Sequence, residues 1–200
     1  FCINKDNLQK IKIETYINEV KDNERCREVN SEDIPIADLN SSFSLKYQLY
    51  DKDKKSFVDT KEKEKFNILT YLLPGRIQKK NEIKLTSKNE TVDAVNFDFS
   101  FLDKSSKIDD KYMLCLVSSD YFTRQDSDVR GRLHLKTKAD LLKANDLYEI
   151  KEAHIFIDSI QQEVVKKVVS KYPEIKKVKE DYEQELEHLI DLFGLDRRVI

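Results

Sequence analysis

The run Tyr112-Met113-Leu114-Cys115-Leu116-Val117 constrains this chain more than any other stretch. It is short, suits a pleated surface and is apolar or aromatic at every position, so both of its faces call for cover. A strand of that kind belongs at the centre of a sheet. Ser118-Ser119-Asp120 closes it with three turn-forming residues. Tyr121-Phe122 and a charged loop with Asp126, Asp128, Arg130 and Arg132 follow. Val129, Leu133 and Leu135 then predict a return strand.

The rest of the sheet is read from two-residue alternation. Ile11 to Ile17 alternates apolar and polar residues, as a half-buried strand does. Residues 18–40 are polar and irregular, with Pro35 opposing helix. Phe43, Leu45, Tyr47 and Leu49 face one way and Ser44, Lys46 and Gln48 the other, the clearest such period in the chain. Lys52 to Lys65 interleaves acids and bases and reads as a solvated connector. Phe66 to Leu73 predicts a second central strand, ended by Pro74-Gly75. A short strand is expected at Ile83 and Leu85, followed by a polar turn over Thr86 to Glu90. Val95, Phe97, Phe99 and Phe101 alternate with polar residues and predict an aromatic-faced strand, joined through Asp103 to Asp110 to an antiparallel neighbour, the Tyr112 strand. Adjacent Asp109-Asp110 reads as a solvated turn rather than a carboxylate pair for catalysis.

After Leu135 the period changes. Thr137-Lys138-Ala139-Asp140 has the form of a capping box ahead of Leu141 and Leu142. Ile150, Ala153, Ile157, Ile160, Val164 and Val168 recur at helical steps, predicting a long helix from Tyr148 to Tyr172 that covers the sheet. Pro173 ends or kinks it. Ile175, Val178, Tyr182, Leu186, Leu189 and Phe193 rebuild the period in a second helix, with Gly194 as its cap. That last stripe serves equally as a packing face or as a seam for a partner. The fold expected is α+β, an antiparallel or mixed sheet covered by a long helix and followed by a C-terminal helical extension. Residues 1–147 make the sheet-rich domain, and residues 148–200 the helical portion that packs on the sheet and extends from it.

Composition limits function more than it assigns it. The formal net charge is -2, with no global attraction to nucleic acid. Lys79-Lys80 and Lys176-Lys177 are diluted by acids, so nucleic acid is not an expected partner. The three glycines, Gly75, Gly131 and Gly194, leave no glycine-rich phosphate loop. Cys2, Cys26 and Cys115 read as reduced thiols, and His134, His154 and His188 are too scattered to suggest a metal site. No catalytic residue is assigned. Lys5 and Asp6 interrupt any leader-like apolar core, and no run is long enough to span a bilayer, so a cytoplasmic location without membrane contact is expected. A start at Phe1 suggests a piece of a larger or processed protein.

Several of these residues form a pattern. Val117-Ser118-Ser119-Asp120-Tyr121-Phe122, then Asp128-Val129-Arg130, then Leu133-His134-Leu135 resembles bacterial GHKL-type ATPases, relatives of gyrase, MutL, the heat-shock ATPases and histidine kinases. In such proteins a strand leads to a loop with an Arg, a return strand and a long helical tail. Leu73-Pro74-Gly75-Arg76-Ile77 resembles a Gly-Arg-Val turn in an earlier strand pair, and Ser42 to Leu49 suits the strand before it. The resemblance covers residues 42–200 and implies a transducer-like second domain. Such a domain relays the nucleotide state of a preceding ATP-binding domain to an effector or dimer partner. ATP and magnesium would belong to that preceding domain, and this chain would need no cofactor of its own.

The resemblance also implies sites. Lys136-Thr137-Lys138 stands where some members carry a Gln-Thr-Lys loop, making Lys138 a candidate sensor of the terminal phosphate. This chain has Lys136 in place of that Gln, and a helix cap with an exposed lysine is the alternative reading. Arg76, Asp128 and Arg130 are candidates for holding the preceding domain, with loop ion pairs as the alternative for Arg130. Expected partners are that domain and a second copy through the C-terminal helices. A stand-alone protein-interaction module with a helical tail is the competing function.

Overall fold

The computed structural model describes residues 11–88, 90–92, 97–126, 133, 135–143 and 152–194. The chain divides into two units, Phe1–Ala37 and Asp38–Ile200.

In the first unit β1 (Ile11–Ile13) pairs with β4 (Arg27–Val29), and β2 (Tyr16–Ile17) pairs with β3 (Val20–Lys21), all antiparallel. The single strand expected over Ile11 to Ile17 is thus two strands, broken at Glu14-Thr15, and Ile13, Tyr16 and Ile17 stay exposed. The chain reverses at Asn18-Glu19, both at positive φ (50° and 66°), the hand that a two-residue hairpin turn requires. Glu14 draws in Lys21, Lys12 and the Tyr16 hydroxyl, which together hold its carboxyl at about 2.

The second unit is a five-stranded sheet with helices. Its strands are β5 (Leu39–Asp51), β6 (Ser56–Pro74), β7 (Glu82–Ser87), β8 (Glu90–Val92) and β9 (Lys111–Ser118), in the spatial order β5-β6-β9-β7-β8. The run Tyr112 to Val117 is therefore the central strand. Its other neighbour pairs are antiparallel, but β7 runs parallel to β9, so the sheet is mixed. Met113, Cys115 and Val117 are fully buried on one face. Tyr112, Leu114 and Leu116 are half-buried on the other. Leu114 and Leu116 lie opposite Tyr71 and Leu69 of β6, giving the back of the sheet an apolar, half-covered surface.

Three further expectations need correction. The stretch from Lys52 to Lys65 is not a connector. Residues 52–55 are a tight turn, and β6 begins at Ser56 and runs for 19 residues. Phe57, Val58 and Thr60 suit a strand, and the alternating Lys and Glu residues decorate a ribbon paired only with β5. Register slips in this ribbon, so that Lys46 faces Lys63 but Gln48 faces Asp59. Of the strand expected from Val95 to Phe101, Val95 lies outside the described residues, and Phe97 to Phe101 is not a strand. Phe97, Phe99, Phe101 and Leu102 are all buried, because a looped chain turns each ring into the core rather than alternating them. The long helix begins at Ile157 rather than Tyr148. His154 pairs instead with Gln48 of β5 through two backbone hydrogen bonds, of 2.8 and 2.9 Å, which hold the segment extended just before the helix. Residues 144–151 lie outside the described residues.

The helices are α1 (Asp120–Gln125), α2 (Lys138–Lys143), α3 (Ile157–Lys171) and α4 (Pro173–Phe193). Ser119 caps α1 by accepting from the Tyr121 N–H at 3.1 Å. Ile157, Ile160, Val164 and Val168 of α3 join the sheet's core, as their spacing predicts. At the core's centre Phe66 stacks on Phe43 with centroids 5.2 Å apart and meets Phe122 edge-on at 5.5 Å. Tyr172 ends α3, and its hydroxyl shares a 3.1 Å hydrogen bond with the buried Thr70 hydroxyl. Pro173 then opens α4 at a position where a missing N–H costs nothing. Gly194, at φ 61°, caps α4 in the left-handed conformation.

Asn81 ties the parts together. Its buried amide donates to the carbonyls of Asp103 (3.0 Å) and Ser106 (2.6 Å), and its oxygen accepts from the Met113 N–H at 2.8 Å. One side chain thereby joins the start of β7, the loop that follows the buried phenylalanines and the central strand.

Candidate functional site

The Lys138 neighbourhood is built where α2 meets the far end of the β5–β6 ribbon. Thr137 and Asp140 form the expected capping box. The Asp140 N–H donates to the Thr137 hydroxyl at 2.9 Å, and the Thr137 N–H donates to the Asp140 carboxylate at 3.1 Å. The Thr137 hydroxyl, and after it the Thr137 N–H, holds the Asp140 carboxyl below its usual range. The cap fixes where Lys138 begins its helix. Its N–H reaches the Asp158 carboxylate at 3.4 Å. Its ammonium lies 5.7 Å from the centroid of Phe57 and 5.8 Å from that of Phe156, within cation–π range of both. Those two rings meet edge-on at 4.9 Å. Nearby, Asp59 accepts from Gln48 Nε2 at 2.9 Å and pairs with Lys46 at 3.4 Å. The Gln48 bond, then Lys46, then the charge of Lys138 keep the Asp59 carboxyl below its usual value. Lys138 is therefore a helix-cap residue whose charge is already received by two rings and a carboxylate.

Arg76 does not lie beside it. Arg76 is exposed in the turn after Pro74, where the Ile77 N–H returns to the Pro74 carbonyl at 2.8 Å. Phe57 and Pro74 stand near opposite ends of β6, so roughly 50 Å of strand separates the Lys138 end from the Arg76 end. Asp128 and Arg130 lie outside the described residues. At the edge of their loop Asp126 is mostly buried. It accepts from the Ser87 hydroxyl at 3.0 Å and has Lys88 at 3.7 Å.

The surface that stands out is on α4. Only Ile175 and Ile190 of this helix are buried. Val178, Tyr182, Leu189, Leu192 and Phe193 remain 42, 40, 41, 64 and 67% exposed. Beside them, α3 and α4 enclose a groove of about 490 Å³, lined by Phe101, Gln161, Val165, Lys179, Tyr182 and Leu186. Its rim is charged, with Lys179 paired to Glu183 one turn on. The sequence showed the helical stripe but not that it splits into an inward and an outward half. The doublets Leu189-Ile190 and Leu192-Phe193 were the available signal, because neighbouring apolar residues widen the arc beyond what one packing partner can cover.

A second recess, of about 240 Å³, lies beside β7 and contains Lys80, Lys84 and Lys104. Lys80 pairs with Glu82 and Lys104 with Asp98, each at 2.9 Å, so much of its positive charge is internally balanced. Among the described residues no cluster of His, Cys, Asp and Glu could hold a metal ion. Cys115 is buried, and burial pushes its thiol well above the usual range. No helix among the described residues is long and apolar enough to cross a membrane.

These elements define an α+β sheet-and-helix domain with an exposed apolar face on α4. Compared with models of known protein families, with curated proteins and with solved structures, the chain matches none.

Proposed function

We propose that this chain is a non-catalytic docking and relay domain, which receives a partner on α4. In the setting implied by its resemblance to GHKL-type ATPases, it passes the nucleotide state of a preceding ATP-binding domain to that partner. ATP and magnesium would sit in the preceding domain, and the protein would be cytoplasmic. The observation that carries the reading is the exposed apolar half of α4, since side chains of this size seldom line up in the open without a partner. A relay also needs a second surface. The half-covered back of the sheet around Tyr71, Leu114 and Leu116, with Arg76 in the turn beyond Pro74, suits the preceding domain. Lys138 would meet the terminal phosphate by leaving the Phe57 and Phe156 rings, a move that swaps one cation partner for a stronger one.

The test is hydrogen exchange on the full-length protein with and without ATP. Protection of α4 amides should differ between the two states, and Lys138→Ala should abolish the difference. If α4 exchanges identically in both states, the relay is wrong. The simpler reading, a stand-alone interaction module using the same face, then remains, and the exposed stripe favours it in its own right.

A further inference from the structure

We infer that the partner received by α4 is a basic amphipathic helix. This rests on the reading of α4 as a docking face and adds the chemistry of its occupant. Val178, Tyr182, Glu185, Leu189 and Leu192 follow one another at steps of four, three, four and three residues. That is the seam spacing of two helices packed side by side. All five are exposed, and Asp181 borders the same seam. Tyr182 supplies the large, rigid anchor typical of such contacts.

Charge decides what lies on this seam. From residue 180 to residue 193 the helix carries six acids and no Lys or Arg. Its lysines precede that stretch, and Lys176 and Lys179 pair with Glu180 and Glu183. No basic residue occupies the last turn, where the negative end of the helix dipole would welcome one. A chain of net charge -2 has thus concentrated acid around the exposed apolar residues of α4. A second copy of this helix fits poorly. Parallel pairing sets acids on acids, and antiparallel pairing about the seam's midpoint brings Glu185 against Glu185. A helix with apolar seam residues flanked by Lys or Arg meets both requirements at once.

Two synthetic helical peptides decide the matter. They share one leucine seam, with lysine at every flanking position in the first and glutamate in the second. Binding to the full chain is followed by fluorescence anisotropy at low and high salt. The lysine peptide should bind, and should bind at least tenfold more weakly at high salt. Asp181→Lys with Glu185→Lys should weaken it by roughly tenfold, and Leu189→Asp should abolish it, with circular dichroism of each variant unchanged. If the glutamate peptide binds as tightly as the lysine one and Leu189→Asp abolishes both, the basic partner is wrong while the docking face stands. If neither binds, docking by this face fails as well. A concentration-dependent dimer lost in Leu189→Asp would put a second copy on the seam and overturn the inference.

Discussion

At the scale of single residues, the polar groups of the core are spent on holding loops to strands. Tyr121 shows how such a residue can be tested. Its ring lies against Phe66 and Phe122, and its hydroxyl donates to the Ile155 carbonyl at 3.0 Å, fixing the segment that enters α3. Burial pushes the phenol from 10.0 up to about 12. The folded state therefore holds this proton more tightly than the unfolded chain does. Its contribution to stability is complete below pH 10 and is lost as pH rises from 10 to 12, a change of about 2 kcal/mol. Tyr121→Phe keeps the ring but leaves the Ile155 carbonyl without this donor, a cost of about 1 kcal/mol at neutral pH. Urea unfolding across the alkaline range should show the parent losing its advantage over the variant above pH 10. A gap that stays constant to pH 12 would show that the phenol is not buried as described. Tyr172 and Tyr71 are raised too, so only comparison with the phenylalanine variant isolates this group.

At the scale of elements, adjacent residues of α4 should behave in opposite ways. Ile190 is buried, whereas Leu189 is 41% exposed. Ile190→Asp places a carboxylate against apolar side chains and should cost about 3 kcal/mol or more in denaturant unfolding. Leu189→Asp should cost under about 1 kcal/mol. Equal costs would mean that the stripe is covered within the folded chain, and the docking reading would go with it. The same helix shows what a sequence reveals of an element. Its period, the break at Pro173 and its glycine cap were legible because each is a local property. Which half of the apolar arc faces α3 was not, because that depends on where α3 lies. The central strand was legible for a related reason, since six apolar residues in a row admit few other places. The charged half of β6 was not legible. Lys61 to Lys65 carries no apolar alternation, and only pairing with β5 makes it a strand. Phe97, Phe99 and Phe101 misled in the opposite sense, because alternation in sequence mimicked a strand where a loop buries every ring. At Lys138 the capping box could be read directly, but the Phe57 and Phe156 rings beneath the ammonium come from 81 residues before it and 18 after it.

At the scale of the whole molecule, the long strand β6 decides how any signal could travel. It is hydrogen-bonded to β5 over most of its length and to β9 at one end, and it runs from the Lys138 end to the Arg76 end. Packed sheets deform little, so the second unit should move as one body, with changes confined to its surfaces. That requires its core to be self-sufficient. Every buried side chain among the described residues lies at Phe43 or beyond, within the unit that starts at Asp38. A chain of residues 38–200 should therefore fold alone and unfold in one cooperative step, with far- and near-ultraviolet circular dichroism tracing the same transition in urea. Transitions that separate would mean that the sheet and the α3–α4 pair come apart independently. A relay through a rigid β6 would then be excluded, and a partner on α4 would sense local helix undocking rather than movement of the whole unit.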